Sequence, residues 1–513
     1  MKCAPRIAIV IVILASAFGA RQVIHRNDGK QGAAVQEAHA AAAPRTWKLG
    51  SLELTPCELP QPHSGLSTAG WCAPFEVPED REHPEGRKVP LRLAVLRSSA
   101  QVPADDMVVF IAGGPGQSAV ESYPTIAPAM QSLLAHRNIL LLDQRGTGES
   151  HPLSCRDEPA GSEDAHSLQD NAIRRDTKRC LDQLSKDADV RFYTTTDAVA
   201  DLEAVRVALG SPKLDVLGVS YGTRVAQQYA MHHPASVRTR ALDGIAPNSL
   251  VLGEEFAVNL DAALKAQFAR CDADHACHER FGDPYQTLYQ LRDALRANPH
   301  NVSFRDPQNY SSVQRVLSDF ALATVVRMFA YSPETAALLP LSLDAAAHGD
   351  VGPLLGQAKL LTGDLGDTMD GGMQYSVICS EDADELQPRP QDRELILGDT
   401  MVEAFRTACS VWPYGKRPAD FRQPLKSDVP ALLMSGEFDP VTPPRYGDEV
   451  LKGLPNGRHF VLKGQGHNVV MRGCMPRLYA DFVDKADAKA LNASCLDRLS
   501  PLPVFVGFNG ATP

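Results

Sequence analysis

No stretch of this 513-residue chain offers the ~20 consecutive apolar residues that a transmembrane helix needs. Nothing repeats at a fixed period, and the only compositionally biased tract is a short Ala-rich run before Arg45. Basic residues are in the minority: 51 Lys and Arg stand against 62 Asp and Glu, a formal net charge of −11. With no run of like charges, that balance argues against nucleic acid as a partner, because phosphate binding needs concentrated Lys and Arg. Its plain meaning is a solvated acidic surface. None of the 11 cysteines stands in a Cys-x-x-Cys pair, which argues against a structural zinc site. No metal or other cofactor is expected. The 44% hydrophobic and 22% charged content is that of an ordinary globular protein, and the length allows several folding units or one large fold with a long insertion.

The first 20 residues have the three-part layout of an export signal. Lys2 and Arg6 precede an apolar run at 7–15 (IAIVIVILA), and small residues follow, with Ala15 and Ala17 fitting an A-x-A cleavage site. An uncleaved N-terminal membrane anchor is the competing reading. After cleavage no stable membrane span is expected, and the protein is read as exported, periplasmic or secreted. Removing Cys3 with the signal leaves ten cysteines, an even number that fits a disulfide framework in an oxidising compartment. They fall in sequence-local twos: Cys57 and Cys72, Cys155 and Cys180, Cys271 and Cys277, Cys379 and Cys409, Cys474 and Cys495. Sequential pairing is the expectation, since each closes a short loop.

Residues 21–45 are polar and Ala-rich and read as a flexible linker. Segment 88–98 (KVPLRLAVLRS) alternates as an early strand. Three short apolar runs then share one grammar: 107–112 ends in GGPG, 138–142 in DQRGTG and 214–217 in GVSYG. Short apolar runs bounded by glycine loops read as buried parallel strands. A helix is expected at 195–209, where Val199, Leu202, Val205 and Ala208 share a face and threonines can cap the start. Strands alternating with helices imply an α/β sheet with crossover connections. After about Asn248 the grammar changes. Segments 254–270, 284–297 and 313–329 read as helices, and strand patterns resume only at 430–435 (PALLMS) and 457–462 (GRHFVL). The expected organisation is a core at 46–249, a mainly helical insertion at 250–426, and the rest of the core at 427–513.

Gly218-Val219-Ser220-Tyr221-Gly222 matches G-x-S-x-G, the sharp strand-to-helix turn that exposes a nucleophilic serine. A strand precedes it and a helix-compatible stretch follows. A serine hydroxyl needs a base to take its proton, and in this motif's setting the partners follow in the order acid, then histidine. Asp439 follows a predicted strand in GEFDP, with Glu437 as the competing carboxylate. His467 lies in GQGHN after the last strand. His467 would act as base and then acid, and Asp439 would hold its tautomer. An oxyanion hole needs two backbone N–H donors. One is expected from Tyr221, the other from the Gly113-Gly114-Pro115-Gly116 loop. The motif Asp143-Gln144-Arg145-Gly146 reads as a stitch that holds a loop below the site.

GGPG, DQRGTGES and GVSYG in this order, with GEFDPVTP and GQGH later, resemble the proline iminopeptidase and tripeptidyl aminopeptidase family of α/β-hydrolases. The resemblance runs from about Trp71 to Cys474. It implies an α/β-hydrolase fold, a mostly parallel sheet with helices on both faces and an inserted helical cap. It also implies a Ser220-Asp439-His467 triad, a hole at Gly114 and Tyr221, no metal, and peptide substrates cut near a free N-terminus. The family often reads HGGPG. Ala112 stands in the histidine place, which the backbone donors of the hole should tolerate. The family holds the substrate α-ammonium with cap carboxylates, and Cys379-Ser380-Glu381-Asp382 is similar to a segment of exported members near that site. Glu381 is the first candidate for that contact and Asp382 the second. A carboxylic-ester hydrolase with the same triad is the rival function. A catalytically silent binding protein is disfavoured because the full residue set is present.

Overall fold

The computed structural model describes residues 46–61, 65, 67–155, 170–307, 309–367, 369–507 and 509–511. The expected export signal and linker lie outside the described residues.

The order of the strands follows from where apolar residues run unbroken. The chain opens with β1 (Trp47–Leu49), β2 (Leu52–Pro60), β3 (Ser67–Pro78) and β4 (Lys88–Leu96). The runs expected to be buried strands are β5 (Met107–Ile111), β6 (Ile139–Leu142) and β7 (Leu214–Val219), followed by β8 (Val237–Asp243). A hairpin, β9 (His300–Arg305) and β10 (Ser312–Leu317), stands apart, and β11 (Ala431–Gly436) and β12 (Gly457–Leu462) complete the set. Among the described residues ten strands form one sheet in the order β1-β2-β3-β4-β6-β5-β7-β8-β11-β12. Neighbours are antiparallel up to the β4–β6 pair and parallel from β6 to β12.

Every residue of β5, β6, β7 and β11 is buried. Both faces of these central strands are covered, which is why they read as solid apolar runs. Alternate residues feed two cores: Val109, Leu140, Val216, Leu242 and Leu433 on one face, Val108, Leu141, Leu217, Ala241 and Leu432 on the other. The helix Thr195–Ala208 begins on the expected threonine cap. Thr194 Oγ1 accepts the Asp197 amide and the Asp197 side chain accepts the Thr194 amide, a reciprocal box that satisfies two otherwise orphan donors.

Between β8 and β11 the helices bury a core of their own, built on Leu260, Leu264, Phe268, Leu288, Leu322, Val326, Phe329 and Leu343. One expected helix there is corrected. Segment 313–329 splits into β10, paired antiparallel with β9, and the helix Asp319–Ala330. Val313, Val316 and Leu317 are spaced like a helical face, but Ser318 accepts the Ala321 amide and starts the helix only there. The strand β8 escaped the pattern because Arg238, Thr239 and Arg240 interrupt its apolar text. Arg238 bonds Asp106 and Thr239 bonds Asp215, so buried pairing takes the place of apolar character.

All five sequential cysteine pairs are disulfide-bonded. Cys57–Cys72 joins β2 to β3, and Cys379–Cys409 ties the helix Gly371–Glu381 to the helix Thr400–Cys409. Among the described residues no helix is long and apolar enough to cross a membrane.

Candidate active site

Three strand ends bring the site together. β7 ends at Val219 and the helix Tyr221–His232 begins at once, leaving Ser220 on the corner with φ 55° and ψ −124°. A side chain is normally strained there. The corner is tight enough to exclude side chains on either flank. A Cβ at Gly218 would come within 2.5 Å of the Gly222 carbonyl oxygen, and one at Gly222 within 2.4 Å of the Ile111 carbonyl oxygen. Ser220 makes no capping bond of its own, so its hydroxyl is free to turn outward.

Asp439 follows β11 and His467 follows β12. His467 Nε2 lies 3.0 Å from Ser220 Oγ, and His467 Nδ1 lies 2.7 Å from Asp439 Oδ2. Asp439 is 2% exposed and His467 8%. Asp439 Oδ1 accepts the amides of Val441 and Thr442, both at 2.8 Å. The second oxygen faces the imidazole, which fixes the proton on Nδ1 and leaves Nε2 to receive one from Ser220. The competing carboxylate, Glu437, instead accepts the Gly464 amide at 2.7 Å.

Two residues absent from the sequence reading complete this chain. Thr442 Oγ1 lies 3.0 Å from Asp439 Oδ2 and 3.2 Å from His467 Nδ1. Its signal was local, a threonine three residues after the aspartate in a turn. Thr442→Val deletes that hydroxyl and keeps the backbone bonds. It is expected to lower kcat about tenfold, the size of one hydrogen bond to a charged group, with little change in KM. Steady-state kinetics reading an unchanged kcat would contradict the role. Asp243, at the end of β8, accepts the amides of Val469 and Val470 at 2.8–2.9 Å and so anchors the loop beyond His467. Burial pushes its carboxyl up to about 6.

The GGPG loop packs against the serine: a Cβ at Gly113 would sit 3.0 Å from Ser220 Cβ. Gly114 takes φ 107°, a region that favours glycine. Among the described residues neither the Gly114 nor the Tyr221 amide donates to any acceptor. Two amides are thus free, Tyr221 next to the serine in sequence and Gly114 next to Gly113, which packs against it. Below the site, Arg145 forms a two-pronged pair with Asp201, both contacts at 2.7 Å, and bonds the Glu79 and Phe192 carbonyls. Asp143 accepts from Ser118 and from the Val120 amide. The Asp143–Gly146 motif stitches loops, in keeping with its sequence reading.

Glu381 and Asp382, the candidates for an ammonium contact, are engaged with partners inside the protein. Both are essentially unexposed, at 1% and 0%. Glu381 Oε1 accepts the Thr195 amide at 2.6 Å, and Oε2 accepts Thr195 Oγ1 at 2.9 Å. That hydroxyl also meets Tyr221 Oη at 2.6 Å, so Glu381 reaches the serine corner from beneath. Asp382 takes Arg224 at 3.0 Å, Arg422 at 2.9 Å and the Leu252 amide at 3.2 Å. The cation beside this pair is the chain's own Arg224, on the helix that starts at Tyr221. Its partnership with Asp382 spans 158 residues, beyond local reading.

Burial pushes the Glu381 carboxyl up to about 7 from an ordinary 4.5. Between those values the folded state holds a proton that the unfolded chain releases. This group's contribution to stability is therefore lost as pH rises from about 4.5 through about 7. Glu381→Gln removes the titration, and its urea midpoint is expected to fall less over that window than the native chain's. Parallel curves would contradict the assignment.

A family profile described as the alpha/beta hydrolase fold matches residues 106–473, a span holding Ser220, Asp439 and His467. Serine protease Hip1 of Mycobacterium tuberculosis is 26% identical over 467 residues, covering 83% of this chain and 87% of the relative. Tripeptidyl aminopeptidase of Streptomyces coelicolor is 24% identical over 516 residues, covering 92% and 90%. Proline iminopeptidase of Neisseria gonorrhoeae is 31% identical over 140 residues, or 27% of this chain and 32% of that protein. With the profile covering most of the chain and the nucleophile corner formed at Ser220, this protein belongs to the α/β-hydrolase family, as a serine hydrolase.

Proposed function

We propose that the protein is an exported exopeptidase that hydrolyses peptide bonds near a free N-terminus through an acyl-enzyme on Ser220. The observation that carries the chemistry is the unbroken Asp439–His467–Ser220 hydrogen-bond chain beside two free amide donors. Ser220 Oγ attacks the scissile carbonyl carbon while His467 Nε2 takes the hydroxyl proton. The carbonyl oxygen becomes an oxyanion that accepts from the Gly114 and Tyr221 amides, each worth roughly 2.7–4 kcal/mol in the transition state. Asp439 stays ionised and stabilises the imidazolium. His467 then gives its proton to the departing amine, the C–N bond breaks, and an ester remains on Ser220. Water, deprotonated by His467, attacks that ester. The acid leaves and the proton returns to Ser220.

The peptidase reading is supported by the names of the relatives, a serine protease and two aminopeptidases. Export is supported by five disulfides, which persist in oxidising compartments. Hydrolysis of carboxylic esters is the second reading. The engagement of Glu381 and Asp382 by Arg224, Arg422 and Thr195 favours it, because those carboxylates already have partners within the protein.

A matched pair of chromogenic substrates decides between them: a short peptide anilide with a free N-terminus and its N-acetylated twin. An aminopeptidase cleaves the free peptide at least about tenfold faster, the worth of one lost charge-assisted contact. Equal cleavage of both, or turnover of simple esters alone, selects the esterase.

A further inference from the structure

Among the described residues most buried arginines are held by carboxylates. Arg145 meets Asp201, and Arg224 meets Asp382. Arg327 is different. It lies on the helix Asp319–Ala330 and is 8% exposed. Among the described residues no Asp or Glu is within ion-pair distance of it. Its guanidinium carbon stands 4.2 Å from the Phe256 ring centroid and 5.8 Å from that of Tyr331. Nη2 donates to Tyr331 Oη at 3.3 Å, a long bond, and Nη1 has no hydrogen-bond partner.

The location gives this group its meaning. Tyr331 presents its ring edge-on to the His467 imidazole, with centroids 5.3 Å apart at 76°. Its carbonyl oxygen accepts the His467 amide at 2.8 Å. Imidazole and guanidinium therefore rest against one shared ring. Arg240 is also unpaired, but it sits on β8 at the level of the sheet and touches no such ring. Burying a guanidinium without a counter-charge is costly, and stacking on two aromatic faces offsets only part of that cost. An uncompensated charge one ring away from the catalytic histidine has an anion as its chemical complement. A guanidinium with free N–H groups suits a carboxylate above all, because it can offer parallel donors to both oxygens.

We propose that Arg327 recognises a carboxylate on the substrate, bound beside the bond that Ser220 attacks. The inference rests on Ser220 as nucleophile but not on peptide over ester chemistry. The carboxylate comes from one of two sources, an acidic side chain next to the scissile bond or the free C-terminus of a short peptide. Either source places an anion where Phe256, Tyr331 and Arg327 converge.

The test is a ratio of kcat/KM within matched pairs. One pair is a tetrapeptide with a free C-terminus and its C-terminal amide. A second carries Glu or Gln after the scissile bond. A third is the 4-nitrophenyl ester of glutaric acid, bearing a free carboxylate, and that of butyric acid. The native enzyme should favour the carboxylate member of at least one pair about tenfold or more, the effect of one charge-assisted contact. In Arg327→Met and Arg327→Gln that ratio should collapse toward one, and Arg327→Lys should keep part of it. The first pair responding assigns the C-terminus, the second a side chain. No peptide turnover with a carboxylate preference on the esters would sink the peptidase reading and keep this one. Ratios near one in the native enzyme, or a preference that survives Arg327→Met, would overturn it. The native measurement alone can do so even if a variant fails to fold.

Discussion

Ser220→Ala lowers kcat by on the order of 10⁴-fold or more while the chain still folds and binds substrate. Only one hydroxyl is removed, from a corner whose geometry is imposed by β7, the helix Tyr221–His232 and the two glycine contacts. His467→Ala is expected to cost a similar factor, because the serine is a poor nucleophile unless Nε2, 3.0 Å away, receives its proton. The informative variant is the double one. If the two groups act as a unit, Ser220→Ala with His467→Ala loses scarcely more than either alone, since the remaining catalysis comes from the amide donors and from binding. Multiplying losses, measured by single-turnover kinetics with thermal melts as the control for folding, would mean that the two residues act separately.

The second large effect is on stability. Asp382→Ala is expected to cost about 3–5 kcal/mol, the penalty for removing the nearer partner of a buried charge, since among the described residues Arg224 then keeps only the Glu381 carboxylate, at 3.7 Å. Asp382 is the counter-charge for Arg224, which is itself unexposed, and it also takes Arg422 and the Leu252 amide. Arg224 additionally donates to the Leu250 carbonyl and stacks on Phe421. One carboxylate thus ties together the helix behind the nucleophile, the start of the helical insertion and the segment returning to β11. Asp382→Asn keeps acceptors for two of these donors and should cost clearly less. Urea denaturation showing a loss below about 1 kcal/mol for the alanine variant would mean that water reaches Arg224 readily and that the knot carries little of the fold.

What could be read in advance was whatever the chain states locally. Gly218 is demanded by the Gly222 carbonyl within the corner and Gly222 by the Ile111 carbonyl of β5, and both glycines stand openly in GVSYG. Asp439 and His467 stand on loops directly after apolar runs, and strand order did the rest. The central strands were readable because burial on both faces leaves an unbroken apolar text. What escaped was set by partners far along the chain. Glu381 and Asp382 are candidates for a cation in sequence, and nothing local there reveals Arg224, 158 residues away from Asp382 on the helix after Ser220. Arg327 lies within the expected helix 313–329 and Tyr331 just beyond it, and only the contact of Tyr331 with His467 gives them meaning. The split of 313–329 turned on one serine cap, Ser318, and on pairing with β9, set against an apolar spacing that reads as a helix.

The proposed mechanism requires Ser220 to be the residue that becomes acylated. The direct measurement is to treat the intact protein at neutral pH with a fluorophosphonate and locate the adduct by peptide mass mapping. A single adduct on the Ser220 peptide, formed fast in the native protein and slowed by orders of magnitude in His467→Ala, is the expected result. Labelling at another residue, or labelling of Ser220 at the same rate without His467, would contradict the account.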